Sequence, residues 1–150
     1  MTELLRSTIV EASVDRVWAV VRDFNALPVW MDGVADSRIE GGGPSDRVGC
    51  VRNFRLRASS GERGGTIRER LLALDDRAHA CTYEILESDM AVTDYVATLA
   101  LLPVTDTNAT YVEWTAEFGC KTADERALVT QIGDGVFAEG LDALRRRFAR

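Results

Sequence analysis

Arg52 and Glu69 are the residues of this chain best placed to do chemistry. Each sits in a strand pattern whose same-face neighbours are apolar. Cys50, Phe54 and Leu56 accompany Arg52, and Ile67 and Leu71 accompany Glu69. Strand side chains alternate faces, so both charges are expected to point inward. A buried charge without a partner is costly, so the two are expected to find partners and could pair with each other. The plainer reading is a salt bridge that fixes strand register. The functional reading is a polar anchor inside an apolar small-molecule cavity. In a reaction, Glu69 or a tyrosine would move a proton, while Arg52 would hold an enolate or carboxylate oxygen. Tyr83 and Tyr95 add phenol donors on the same face, their plainer role being core aromatics. The catalytic candidates are Arg52, Glu69 and Tyr95. The ligand-binding candidates are Arg52, Phe54, Glu69, Tyr83, Tyr95, Trp114, Ile132 and Val136.

These residues need a sheet and a helix to position them. The spacing predicts a long amphipathic helix over Ala123 to Phe148, with one apolar stripe at Leu128, Ile132, Val136, Phe137, Leu141, Leu144 and Phe148. Thr122 and Glu125 read as its capping box, and Arg145, Arg146 and Arg147 complement the dipole at its end. Before it, strands are expected at Leu5–Glu11, Val34–Ile39, Val48–Leu56, Thr66–Leu74, Cys81–Leu86, Val92–Leu102 and Ala109–Phe118, with Pro103 ending the sixth. Two short helices follow the first strand. Ser13 is expected to cap one and Asp23 the other, with Pro28 near the end of the second. Strands joined by short turns make an antiparallel meander. Two α+β folds compete: a helix-grip fold, with about seven strands wrapping the C-terminal helix, and a cone-shaped fold whose helices mostly precede the sheet. The helix at the C-terminal end favours the first.

Composition excludes several classes. The chain has 150 residues, 46% of them hydrophobic and 28% charged, and reads as one domain over 1–150. A net charge of -6 argues against nucleic acid. No apolar run is long enough to span a bilayer, and Met1–Arg6 lacks a signal-peptide layout, which points to the cytoplasm. Cys50, Cys81 and Cys120 are odd in number and share no ligand spacing, as expected of small buried side chains in a reducing compartment. His79 is the single histidine and falls in a turn, where a solvated role is expected. A Ser-His-Asp triad and a multi-histidine metal site are therefore not expected. Neither a metal nor a cofactor is expected.

With these elements in place, the chain resembles the START/Bet v 1-like (SRPBCC) superfamily, and within it the polyketide cyclase/dehydrase-like proteins. The resemblance rests on Val17-Trp18, Asp23-Phe24, Leu27-Pro28-Val29-Trp30, Val48-Gly49-Cys50-Val51-Arg52 and the stretch from Glu69 to Asp76. Asp94-Tyr95, Glu113-Trp114 and Gly140 to Leu144 complete it. It implies a helix-grip fold and a cavity for lipids, polyketides, phenolics or hormones; only some members are enzymes. The same segments are similar to the plant abscisic acid receptors, which places Arg52, Glu69, Tyr83 and Tyr95 on pocket positions. The chain departs from those receptors at Met31, where they carry a ligand-binding lysine, and at Ser88-Asp89-Met90-Ala91, which stands in place of their latch. Their gate loop corresponds to Ala58–Gly65, with different residues. A gated apolar cavity is implied, and hormone reception is not.

Three functions follow. The chain is a binder of an apolar, uncharged or monoanionic small molecule, an aromatase/cyclase or dehydratase-type enzyme, or an interaction module with a vestigial cavity. No nucleophile–base pair is visible to favour the enzyme. The glycine-rich loop and Glu87–Thr93 are expected to flank the cavity mouth, the loop acting as a lid. Phe54, Ile67, Leu71, Ile85, Leu99, Trp114 and Phe118 are expected as its walls.

Overall fold

A computed structural model describes residues 1–58 and 64–149. Its elements run β1 (Thr2–Val10), α1 (Val14–Val21), α2 (Leu27–Trp30), β2 (Val34–Ile39), β3 (Val51–Leu56), β4 (Thr66–Asp75), β5 (Ala80–Glu87), β6 (Thr93–Val104) and β7 (Ala109–Gly119). The C-terminal helix follows in pieces: a 3₁₀ turn at Thr122–Asp124, α3 (Glu125–Val129), a π-helix at Thr130–Ala138 and α4 (Glu139–Arg147). All seven strands form one antiparallel sheet in the order β1-β7-β6-β5-β4-β3-β2. This is the helix-grip fold. The meander runs from β2 to β7, and β1 closes it by pairing with β7. The two short helices carry the chain from β1 across to β2.

Alternation holds where it was needed. Tyr95, Ala97, Leu99 and Leu101 on β6, and Val112, Trp114, Ala116 and Phe118 on β7, are buried on the helix side. Ile132, Phe137, Leu141 and Leu144 meet them from the helix. Val136 is half-buried, while Arg126 and Glu139 are exposed. Irregularities in the ladder bend the sheet. β4 shifts register between Arg68 and Glu69 and again between Leu71 and Ala73. β6 shifts between Thr93 and Val96, where Asp94 adopts a φ of 50°. That bulge leaves Tyr95 buried and stacked on Phe118, centroids 5.9 Å apart. Outside the sheet, Arg68 donates to Glu40 at 2.7 and 2.9 Å, tying β4 to the turn after β2.

Several local expectations are corrected. β3 starts at Val51, because Gly49 takes a φ of 96° that breaks the extended chain just before it. β6 runs through Pro103, opposite Thr110. Pairing with β5 ends at Ala100, so Pro103 removes no donor that β5 would need. Asp23 does not cap α2. Its Oδ1 accepts from the Asn25 backbone and the Ser45 hydroxyl, while Pro28 stands in the helix's first turn. Ser13 occupies the N-cap position of α1 without a side-chain bond. Thr122 and Glu125 form no capping box, since Glu125 accepts from the Thr2 hydroxyl at 2.7 Å. Cys81 is buried, and Cys50 and Cys120 are only half-buried. His79 is packed rather than solvated, edge-on to Trp18 with centroids 5.7 Å apart.

The largest difference is the π-helical centre of the final helix. Gly133 and Gly135 lie within it, where weak helix propensity loosens the α ladder. The guanidinium of Arg6, paired with Asp134 at 3.2 Å, packs over Gly133. Gly140, in α4, lets Trp114 approach: a Cβ there would sit 2.9 Å from the indole Cζ3. Gly140→Ala is therefore expected to cost about 1–3 kcal/mol through overpacking. Gly135 has open space around the same position. Gly135→Ala is expected to stabilise by about 0.4–1 kcal/mol by restricting the unfolded chain. Urea unfolding of both variants checks the contrast; equal effects would contradict this account of Gly140.

Candidate functional site

The sheet's concave face and the C-terminal helix enclose a cavity of about 360 Å³. All eight expected ligand-binding residues line it: Arg52, Phe54, Glu69, Tyr83, Tyr95, Trp114, Ile132 and Val136. Ile67 and Ile85 line it too. Leu71, Leu99 and Phe118, expected as walls, are instead packed in the core behind the lining. Phe118 supports the wall indirectly through its stack on Tyr95.

Arg52 and Glu69 are opposed cross-strand partners on β3 and β4. Glu69 Oε1 accepts from Arg52 Nε at 2.8 Å and lies 2.7 Å from Nη2. Arg52 Nη1 donates to the Phe24 carbonyl at 3.0 Å. The guanidinium lies over the Phe24 ring at 3.9 Å and the Tyr83 ring at 4.7 Å. All three of its nitrogens are thus engaged. As a consequence, Arg52 is less free to serve as an anion donor than the sequence implies. Phe24 is an anchor that the strand pattern does not reveal, because it comes from the segment between α1 and α2.

Desolvation pushes the Glu69 carboxyl above its ordinary value, and Arg52 pulls it partly back. Burial also raises the phenols of Tyr83 and Tyr95, so both stay protonated as neutral donors. Trp114 Nε1 donates to the Tyr83 hydroxyl at 2.9 Å, and the Trp114 ring stacks on Phe137 at 4.4 Å. These contacts fix the orientation of the polar wall. The Cys81 thiol is pushed up to about 11 by burial, which keeps it from being a nucleophile. Among the described residues, no group of three or more His, Cys, Asp or Glu is placed to hold a metal ion.

The cavity rim contains Gly65 and Thr66 from one loop and Asp89, Met90 and Ala91 from another. Asp89 Oδ2 lies 3.1 Å from where a Cβ on Gly65 would sit, so the two loops meet. Residues 59–63, the centre of the expected lid, lie outside the described residues. Met31 lines the cavity, as do Leu27 from α2 and Gln131 from the π-helix. Sequence periodicity does not single out these three, because short helices and π turns carry no stable face pattern.

Residues 1–149 match the family described as polyketide cyclase / dehydrase and lipid transport. The chain belongs to this family. No curated protein matches it. A solution NMR structure from Thermobifida fusca is 33% identical, with a TM-score of 0.86, covering 100% of this chain and 95% of that one. The protein XoxI from Bacillus cereus is 30% identical, with a TM-score of 0.82 over 99% of this chain and 96% of its own. A norcoclaurine synthase point mutant from Thalictrum flavum, in complex with a transition-state analogue, shares the fold at 18% identity. Its TM-score is 0.75, over 98% of this chain and 93% of that one. No helix among the described residues is long and apolar enough to cross a membrane.

Proposed function

We propose that this polyketide cyclase/dehydrase-family protein binds an apolar small molecule of polyketide, aromatic or lipid-like kind. The observation that carries this reading is the apolar cavity of about 360 Å³ with a buried ion pair in its wall. Apolar walls supply affinity and a few fixed polar groups supply orientation. Among the described residues the lining offers no cluster of cations for a polyphosphate, whose desolvation would go uncompensated. The test is a panel of flavonoids, fatty acids and nucleotides read by intrinsic fluorescence. Trp114 lines the cavity and reports binding, while Trp18 and Trp30 add background. Saturable quenching by the apolar compounds of the panel is expected, flavonoids ahead of fatty acids. Preference for the nucleotides would overturn the reading.

A second reading is an aromatase/cyclase or dehydratase-type enzyme, with Glu69 or Tyr95 moving a proton and Arg52 steadying an oxyanion. One observation favours it: a carboxyl raised by burial lies on the cavity wall, the setting of a proton-transfer group. Turnover of a poly-β-ketone substrate that Glu69→Gln abolishes would support the enzyme. Binding without turnover would leave a carrier.

A further inference from the structure

We propose that Glu69 determines specificity by selecting apolar ligands that present a neutral hydrogen-bond donor, and that the cavity disfavours anions. The inference rests on the binding reading above and narrows it. Both N–H contacts from Arg52 fall on Oε1 of Glu69. Among the described residues no hydrogen bond to Oε2 is found, although the side chain is only 7% exposed and lines the cavity. A buried carboxylate oxygen in apolar surroundings gains most from a donor that arrives with the ligand. A phenol or alcohol hydroxyl supplies one without adding charge.

Charge excludes the alternatives. Among the described lining residues the charged side chains are Arg52, Glu69, Asp89 and Asp124, one cation against three carboxylates. Arg52 is already balanced by Glu69, and aromatic rings lie against its guanidinium. A ligand carboxylate would therefore lose its hydration without meeting an uncompensated positive charge. An ammonium seated at Glu69 would meet a carboxylate already neutralised by Arg52, so its desolvation there would go unrewarded, and the pull of Asp89 and Asp124 is what the amine probe measures.

The experiment compares naphthol, methoxynaphthalene, naphthoate and naphthylmethylamine, four probes that share one bicyclic body. Titration calorimetry on the intact chain gives each affinity. Naphthol is expected to bind about tenfold or more tighter than the other three, the gain of a hydrogen bond to a charged acceptor. In Glu69→Gln, Arg52 loses its balancing charge, so naphthoate should gain affinity and naphthol should lose it. Should that variant fail to fold, Asp89→Asn serves instead; naphthoate should gain affinity relative to naphthol, and an unchanged ratio of the two would overturn the proposal. If methoxynaphthalene matches naphthol, the cavity reading stands and the role of Glu69 falls. Tightest binding by naphthoate or by the amine overturns the proposal as well. Failure of all four probes to bind would count against the binding function itself.

Discussion

Arg52→Ala is expected to destabilise the protein by about 3–5 kcal/mol, because it strands a buried carboxylate. Glu69 loses both of its short contacts and its opposite charge. The Phe24 carbonyl loses its donor in the same step. The variant should also respond to pH in a defined way. Burial already raises Glu69 above its ordinary value of 4.5, and removing Arg52 removes the opposing influence. A carboxyl raised in the folded state stabilises least when it must be ionised. Its penalty is full above the folded value and vanishes below the unfolded one. The gap between wild type and Arg52→Ala should therefore be wide at neutral pH and narrow as pH falls towards 4.5. Urea midpoints across that range, with NMR titration of the Glu69 carboxyl, measure both effects. An unchanged Glu69 midpoint would show that the pair is not coupled. The double change Arg52→Met with Glu69→Leu should recover much of the lost stability, since apolar replacement of a buried pair is often neutral or better.

Phe137→Ala is the second large effect, expected to cost about 3–5 kcal/mol. Phe137 is fully buried, stacks on Trp114 and lines the cavity from the π-helix. Truncation would enlarge the cavity and free the indole that donates to Tyr83. An apolar ligand that fills the space should restore part of the loss by mass action. Thermal unfolding with and without naphthol tests this. A loss below about 1 kcal/mol would mean that the helix centre relaxes onto the sheet without Phe137.

The strand alternation was enough to place Arg52, Glu69, Tyr83, Tyr95 and Trp114 on one face, because a period of two leaves no freedom once one side is buried. The stripe at Ile132, Val136 and Phe137 likewise put the helix against that face. What the sequence concealed depends on distant contacts. The Phe24 carbonyl meets Arg52 only after α1 and α2 fold across the sheet. The π-helix carries Gly133 under Arg6 and Phe137 against Trp114, distant contacts that a pattern of apolar positions cannot register. The capping box expected at Thr122 does not form because Thr2, at the start of β1, donates to Glu125. The deeper burial of Leu71, Leu99 and Phe118 shows that an inward face holds both lining and core, and that the curvature of the sheet divides them.

Methyl NMR of the protein titrated with naphthol tests the central claim most directly. Ile67, Ile85, Ile132 and Val136 line the cavity, whereas Leu5, Val96 and Leu102 are exposed. Binding within the grip of sheet and helix predicts saturable shifts of the first set, with intermolecular contacts to the ligand, and an unperturbed second set. Shifts confined to Leu5, Val96 and Leu102 would place the ligand outside the cavity and contradict the account.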